Sequence, residues 1–349
     1  MRKQAKALLL QGAFIPAIPL VLDGARRFDE GGQRRLIRYY LESGADGIAV
    51  GVHTTQFAIR DPGVGLFERV LQAAAEELEI WRKRTGKTAI AIAGACGPAA
   101  QAEREAALAA HLGYDAVLLS PGGLDGLSEE ALLERTRRAA GQADVIGFYM
   151  QPAVGGRALS YDYWRAMCEI QGVVAVKCAA FNRYLTADVA RAIAFSGRDI
   201  ALYTGNDDNI VVDLLTEYRF NDRGRVRAVR TAGGLLGHWA FWTHTSAARF
   251  HRLKELDPRA PVAPAWMTFA AQTTDANGAV FDATHHFQGC IAGIHEVLRR
   301  QGLLKGIWCL DPRETLSPGQ AAEIDRVYAM YPELNDDAFV AEFLQKEEG

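Results

Sequence analysis

The sequence predicts an α/β protein, a (β/α)8 TIM barrel with a C-terminal helical extension. Short, continuously apolar runs alternate with longer amphipathic runs, and 349 residues accommodate eight such units. Continuously apolar strands indicate a parallel sheet that is covered by helices. A doubly wound sheet is the alternative, but no glycine-rich nucleotide-binding motif follows an early strand. Eight units at this length therefore favour the closed barrel.

The predicted elements follow one another in regular alternation. Eight apolar segments are predicted as strands: 13–22, 46–52, 88–96, 115–122, 144–152, 173–179, 199–207 and 235–243. The segments between them have helical periodicity: 29–44, 62–84, 98–113, 128–141, 160–171, 186–196 and 209–219. Residues 219–229 are a polar insertion, for which a hairpin is one possible form. We expect residues 1–245 to form the barrel and residues 246–349 a helical region, in which 287–301 is the clearest helix.

Composition and charge exclude several function classes. The net charge is −3 and the isoelectric point is about 6.3, and no basic stripe indicates a nucleic-acid or membrane partner. The five cysteines form no CxxC pair, which indicates a reducing compartment. Gln11 and Gly12 interrupt the apolar stretch at the start, so a strand is favoured there over a signal peptide. We therefore expect a cytoplasmic protein without a membrane span.

A single lysine lies near the end of the sixth predicted strand. Lys177 directly follows the apolar run Val173, Val174, Ala175 and Val176, although moving a lysine charge out of water is costly. In a barrel, the C-terminal ends of the strands build the active site. Burial there lowers the pKa of the amine, and a neutral amine can attack a carbonyl carbon to form an imine. The alternative is a lysine that pairs with an acid across the barrel mouth.

Tyr149 ends the preceding predicted strand, in the stretch GFYMQP. Because the two strands are neighbours, we expect the phenol and the amine to converge at one mouth. The tyrosine hydroxyl could then carry protons while a carbinolamine forms and collapses. Taken alone, Tyr149 is equally compatible with a packing role.

With these residues, positions 12–250 resemble the dihydrodipicolinate synthase and N-acetylneuraminate lyase family of class I lyases. The Y-x-x-P strand end of the family matches Tyr149 and Pro152, and its imine-forming lysine matches Lys177 at the same spacing. Three further segments are similar to family motifs: SGADGIAVGVHTTQF at 43–57, AGACG at 93–97 and GNDD at 205–208.

The resemblance implies an enzyme without a cofactor, usually a homotetramer, that binds pyruvate or another 2-oxo acid as a lysine imine. The enzyme would then make or break a C–C bond, or eliminate water. In the family, the loop that corresponds to residues 53–55 holds the carboxylate of the oxo acid. The implied site contains two catalytic residues, Lys177 and Tyr149, four substrate-binding residues and no metal ligand. The substrate-binding residues are His53, Thr54, Thr55 and Gly205.

Departures from the family pattern concern both the carboxylate loop and the second substrate. His53 stands in the place of the first threonine of the carboxylate loop, and Gly122 and Gly123 replace the tyrosines after strand four, one of which belongs to a proton relay in the synthases. Val154 stands where the synthases carry an arginine that grips the carboxylate of the aldehyde, and Arg157 is close but not aligned. Cys178 replaces the glutamate after the lysine. We therefore expect a neutral aldehyde as the second substrate, and not dihydrodipicolinate synthesis.

Three functions follow, in decreasing order of support. The first is a class I lyase, aldolase or dehydratase, that acts on a 2-oxo acid. The second is a catalytically altered barrel that serves as a 2-oxo acid binding or regulatory protein. A metal-dependent hydrolase is third, because histidines cluster near the eighth predicted strand and in THH at 284–286, but their spacing matches no metal-binding helix motif. We expect a homo-oligomer, a tetramer or a dimer.

Overall fold

The structure, a computed structural model, describes residues 1–348. Eight parallel strands alternate with helices and further helices follow, so the fold is the predicted (β/α)8 barrel with a C-terminal helical extension. The strands are β1 (Phe14–Pro16), β2 (Gly47–Val50), β3 (Ile90–Ala95), β4 (Ala116–Leu119), β5 (Val145–Met150), β6 (Val173–Ala179), β7 (Ala201–Thr204), β8 (Glu217–Asp222) and β9 (Arg225–Leu236). The antiparallel β8 lies outside the barrel.

The helices occupy most of the predicted positions. They are α1 (Lys3–Gln11), α2 (Glu30–Glu42), α3 (Phe67–Thr85), α4 (Ala99–His111), α5 (Glu129–Ala140), α6 (Tyr161–Glu169), α7 (Arg183–Ser196), α8 (Ile210–Leu215), α9 (Thr243–Lys254), α10 (Pro264–Val280), α11 (Cys290–Arg300), α12 (Gln320–Met330) and α13 (Asp337–Glu348). The described helices include none that is both long and apolar enough to cross a membrane.

The chain forms two compact units. The first consists of residues 1–13 and 90–235, and the second of residues 14–89 and the residues from 236 onward. This division does not follow the predicted domain boundary at residue 245, which stays a prediction.

The first unit contains six neighbouring parallel strands in the order β3, β4, β5, β6, β7 and β9. Side-chain caps begin α5, α6 and α7 of this unit. The Ser128 hydroxyl accepts a hydrogen bond from the N–H of Ala131 at the start of α5, and the Ser160 hydroxyl accepts one from the N–H of Tyr163 at the start of α6. Such caps satisfy N–H groups that have no partner within the helix.

The eighth barrel strand is not the predicted segment 235–243, and this prediction is wrong. The strand is the second half of β9, where Thr231 pairs with Leu202 and Gly234 with Thr204. A side chain at Gly233 would meet the backbone of Ala13 at 2.4 Å, so glycine is required there. The strand is therefore built from small residues and lacks the apolar run on which the prediction rested. The first half of β9 pairs with β8, which confirms a hairpin in the polar insertion.

The second unit contains β1, β2, α2, α3 and the helices from α9 onward. Asp336 is buried in the interior of this unit. Its carboxylate accepts hydrogen bonds from the Tyr39 hydroxyl at 2.7 Å and from the His244 N–H at 2.8 Å. Burial raises the pKa of this carboxyl group. The polar contacts satisfy the carboxylate, as buried charged groups require.

Candidate active site

Lys177 lies on β6 with only 8% of its surface exposed. Its register partners are Phe148 on β5 and Tyr203 on β7, and its ammonium nitrogen lies 4.4 Å from the centre of the Phe148 ring. Burial lowers the pKa of the amine to about 8, against an opposing effect of the Asp207 carboxylate. A shift of this size increases the fraction of neutral amine at pH 7 by roughly 300-fold. Lys177 therefore has the environment of a nucleophilic amine.

Gly205 forms a wall against the lysine side chain. Its N–H donates to the Cys178 carbonyl at 2.7 Å. A Cβ atom at this position would lie 2.4 Å from Lys177 Cε and 2.8 Å from Ala179 Cβ. Those distances are too short for any side chain, so the turn after β7 requires glycine for close approach and not for backbone conformation.

Tyr149 lies on β5 beside Lys177, but the two side chains leave the sheet on opposite faces. Tyr149 pairs with Cys178, whereas Phe148 pairs with Lys177, and successive side chains of a strand alternate between faces. The Tyr149 ring packs 5.0 Å from the Trp164 ring of α6. Its hydroxyl accepts a hydrogen bond from the Leu159 N–H at 3.1 Å and donates to the Leu159 carbonyl at 3.4 Å. The structure therefore does not bring the phenol to the amine.

A register shift at the start of the two strands causes this arrangement. Val145 pairs with Val173, but the next residue, Ile146, pairs with Ala175, so Val174 is skipped. Without the shift, Tyr149 would lie opposite Lys177, as the sequence suggests. A one-residue change of register moves a whole set of side chains to the other face of a sheet, and here it brings Phe148 to the lysine.

Cys178, the residue after Lys177, faces the helix layer. Its sulfur lies 3.6 Å from the Thr186 hydroxyl oxygen of α7, and burial raises the pKa of the thiol to about 11. A buried thiol of this kind is a packing group and not a nucleophile.

The predicted carboxylate loop lies in the second unit, as a 3₁₀ turn over His53–Thr55 that follows β2. Thr54 and Thr55 are buried. The Thr54 hydroxyl donates to the Ala17 carbonyl at 2.8 Å, and the Thr55 hydroxyl donates to the Ile18 carbonyl at 2.7 Å. Both hydroxyl hydrogens are therefore committed to the backbone after β1. His53 is half-buried, with its ring 6.1 Å from that of Phe57, and its backbone carbonyl accepts from the N–H of Gln56.

The loop after β5 contains the residues that distinguish this chain from the synthases. Val154 is half-buried in a short 3₁₀ turn over Pro152–Val154. The Arg157 guanidinium donates to the backbone carbonyls of Asp125 and Leu127. Arg157 therefore braces this backbone through Nη1.

Within the described part of the chain, no three His, Cys, Asp or Glu side chains are grouped closely enough to hold a metal ion. His238, one of the histidines near the predicted eighth strand, is buried, and its Nε2 lies 3.4 Å from the Ser246 hydroxyl oxygen. Burial lowers its pKa to about 4. His285 of the THH stretch contacts the Asp282 carboxylate through Nδ1 at 2.6 Å.

Sequence reasoning missed two features of the site. Phe148 lies beside Lys177 only because of the register shift, for which the sequence gives no signal. The second feature is Asp213, a lone acid in the apolar run IVVDLL, which is almost completely buried. The same pattern that singled out Lys177, one charge in an apolar run, would have identified it.

The fold and the strand-end lysine together define a (β/α)8 barrel with a buried amine of lowered pKa. No family model matches the chain. It is 27% identical over 195 residues to an N-acetylneuraminate lyase of Escherichia coli strain SMS-3-5. That match covers 55% of this chain and 62% of the relative, which is less than two thirds of the relative's length.

Two solved structures have the same fold. A dihydrodipicolinate synthase from Acinetobacter baumannii, in complex with pyruvate, superposes with a TM-score of 0.73 at 16% identity, covering 91% of this chain and 98% of that one. An N-acetylneuraminate lyase from Fusobacterium nucleatum superposes with a TM-score of 0.70 at 16% identity, covering 92% of this chain and 99% of that one. The chain is therefore similar in sequence to an N-acetylneuraminate lyase, and similar in fold to solved structures of a dihydrodipicolinate synthase and an N-acetylneuraminate lyase.

Proposed function

We propose that the protein is a class I lyase that binds pyruvate or another 2-oxo acid as an imine of Lys177. The supporting observation is the burial of this amine at a strand end, which lowers its pKa to about 8. The curated relatives named N-acetylneuraminate lyase are consistent with this chemistry. Neither a metal nor a cofactor is needed, because the imine itself withdraws electrons from the adjacent carbon.

The proposed reaction begins when the neutral Nζ attacks the C2 carbonyl carbon of the oxo acid. The carbinolamine that forms loses water and becomes an iminium ion. Loss of a proton from C3 then gives an enamine, whose C3 attacks the carbonyl carbon of an aldehyde and forms a C–C bond. Water hydrolyses the product iminium and releases Lys177. Cleavage is the reverse sequence, and a dehydratase would instead expel a hydroxyl group from the enamine.

The first test is a panel of 2-oxo acids incubated with the protein and sodium borohydride. Reduction of an imine should add the mass of the acid, less one oxygen atom, irreversibly to the chain. We expect pyruvate or a close analogue to give this adduct in an intact-mass measurement. If no 2-oxo acid in the panel adds to the protein, the proposed function is wrong.

The second substrate is proposed to be a neutral aldehyde, because Val154 offers no cation and Arg157 is engaged with backbone carbonyls. Losing a charged hydrogen bond costs about 1.5–3 kcal/mol, roughly ten- to a hundredfold in rate. We therefore expect kcat/KM for aspartate semialdehyde to be lower by that factor than for neutral aldehydes of similar size. Val154→Arg should narrow the difference. Efficient turnover of aspartate semialdehyde by the unmodified protein would refute this specificity.

The role of Tyr149 in proton transfer stays a prediction of the sequence, and Tyr149→Phe tests it. In the structure the hydroxyl braces Leu159, so its removal leaves a buried N–H unpaired at a cost of about 1–3 kcal/mol. We expect a lower melting temperature and a turnover within about tenfold of the original. A relay would give the opposite pair of results: stability would be retained and turnover would fall by roughly 10²–10⁴-fold.

A 2-oxo acid binding or regulatory protein is the second candidate function. The orientations of Tyr149 and of the Thr54 and Thr55 hydroxyls favour it, since groups predicted to act on the substrate contact backbone instead. Borohydride trapping without turnover of any aldehyde would support this candidate. A metal assay of the purified protein tests the third candidate, the metal-dependent hydrolase.

For assembly and location, we propose a homo-oligomer, a tetramer or a dimer, in the cytoplasm. Family resemblance motivates the assembly, and the five cysteines, none of which is in a disulfide, are consistent with a reducing compartment. Light scattering of the purified protein measures the mass of the assembly, and a monomer would contradict the first part.

A further inference from the structure

Asp213 on α8 is a buried carboxylate that collects four hydrogen bonds. Only 2% of its surface is exposed. One oxygen accepts from the Thr204 hydroxyl at 2.7 Å and from the Asn206 amide at 2.8 Å. The other oxygen accepts from Arg183 Nη1 at 2.7 Å and from the Asn209 amide at 2.9 Å. A carboxylate is the one side-chain group that can accept bonds at all four of these positions.

Asn206 connects this carboxylate to the chain that follows β6. Its side-chain oxygen accepts from the Phe181 N–H at 2.9 Å, and its amide nitrogen also reaches the Thr186 hydroxyl at 3.4 Å. Phe181 has a φ of +50°, a strained conformation for a residue with a large side chain. Asn206 itself is completely buried. The turn after β7 and the segment after β6 are thus held together by one polar network.

That network determines where the turn presses on Lys177. Gly205 lies between Thr204 and Asn206, both of which donate to Asp213, and its backbone is too close to Lys177 Cε to carry a Cβ atom. Asp207, whose charge acts on the lysine, follows directly in the same turn. If Asp213 could not accept these bonds, the turn would be free to move away, and water would reach the amine.

We propose that Asp213 is a positioning residue for Lys177: through Thr204 and Asn206 it holds Gly205 against the lysine side chain and keeps the amine dry. Its value for catalysis rests on the proposed imine chemistry of Lys177. Asp213 does not touch the substrate in this account. Asp213 acts through the turn after β7, and its effect can be measured as the reactivity of the Lys177 amine.

The variant Asp213→Asn tests this role. One carboxylate oxygen of Asp213 becomes an NH₂ group in this variant. The two groups that donate to that oxygen then face another donor and lose their hydrogen bonds. The readout is the rate at which acetic anhydride acetylates Lys177 as a function of pH, followed by peptide mass spectrometry. This labelling needs no 2-oxo acid. We expect a midpoint near 8 for the unmodified protein and, in the variant, an upward shift of at least about half a pH unit, because a hydrated lysine regains its ordinary pKa.

Two further variants separate positioning from general destabilisation. Asp115→Asn is the matched control, because Asp115 is also 2% exposed and accepts from Arg2 and from the Ala91 N–H, but lies at the N-terminal side of β4. It should lower the melting temperature and leave the Lys177 midpoint unchanged. The double variant Asn206→Asp with Asp213→Asn exchanges the amide and the carboxylate, so a donor again faces an acceptor. We expect it to reverse part of the upward shift in the Lys177 midpoint.

The labelling results test the positioning role of Asp213, and the borohydride results test the proposed function. An unchanged Lys177 midpoint in folded Asp213→Asn overturns the positioning role, as does an equal shift in the Asp115→Asn control. If Asp213→Asn does not fold, Thr204→Val removes one of the four donors to Asp213 and the acceptor of the Asn206 N–H. It should give a smaller shift in the same direction, and no shift there overturns the proposal. Failure of every 2-oxo acid to form a borohydride adduct refutes the proposed function alone, since the labelling result does not depend on it.

Discussion

Replacing Lys177 with methionine should abolish imine formation and reduce lyase activity by roughly 10³-fold or more, the scale of loss found when a covalent nucleophile is removed. Methionine has a similar length and no amine, and it suits an apolar site better than an ammonium group does. The protein should therefore fold. Activity is measured as kcat/KM with the 2-oxo acid that gives a borohydride adduct. Activity close to that of the unmodified protein would exclude Lys177 as the nucleophile.

The same variant has a predictable effect on stability. The folded-state pKa of Lys177 is about 8, below the ordinary value of 10.5, so the unfolded chain binds a proton that the folded chain releases between these values. The free energy of unfolding therefore rises as pH increases from about 8 to 10.5, and this gain is absent below pH 8. Over this whole pH range, the free energy of unfolding should rise by about 3 kcal/mol because of Lys177. Lys177→Met should be more stable than the unmodified protein at pH 7 and should lack this rise, as urea unfolding at several pH values would measure.

The second large effect is expected for Gly205→Ala. The added methyl group would lie 2.4 Å from Lys177 Cε and 2.8 Å from Ala179 Cβ, so either the lysine or the turn after β7 has to move. Overpacking costs about 1–3 kcal/mol in stability, and displacing a catalytic group by about 1 Å can reduce rate by 10²-fold. We expect a loss of about that size in kcat/KM.

A matched control is available for this change. Gly126→Ala lies in the same unit, and its added methyl group would meet nothing within 4 Å. It should leave kcat/KM and the melting temperature close to their original values. If Gly205→Ala behaves like this control, the close wall against Lys177 does not matter for catalysis.

The sequence predicts most of the fold because hydrophobic periodicity and caps are local signals. Ser128 begins α5 as its position suggests, and β6 spans the predicted residues. The eighth barrel strand was missed because Gly233 makes it a strand of small residues, required by the close approach of Ala13. That requirement arises from a contact between distant parts of the chain, which a local pattern does not contain.

The site shows the same division between local and non-local information. The lone charge of Lys177 in an apolar strand is visible in the sequence, and the structure places the residue in a buried environment. The orientation of Tyr149 depends on a register shift at Val174, which no residue pattern announces. The motifs therefore identify Gly205, which lies against the Lys177 side chain, but not Phe148, whose ring lies beside the amine.

The most direct test of the account is peptide mapping after borohydride reduction with pyruvate or whichever 2-oxo acid reacts in the panel. We expect the adduct to lie on Lys177 and to form faster as pH increases through about 8, and we expect Lys177→Met to form none. An adduct on any other lysine, or an equal yield from Lys177→Met, would contradict the assignment of Lys177 as the imine-forming residue.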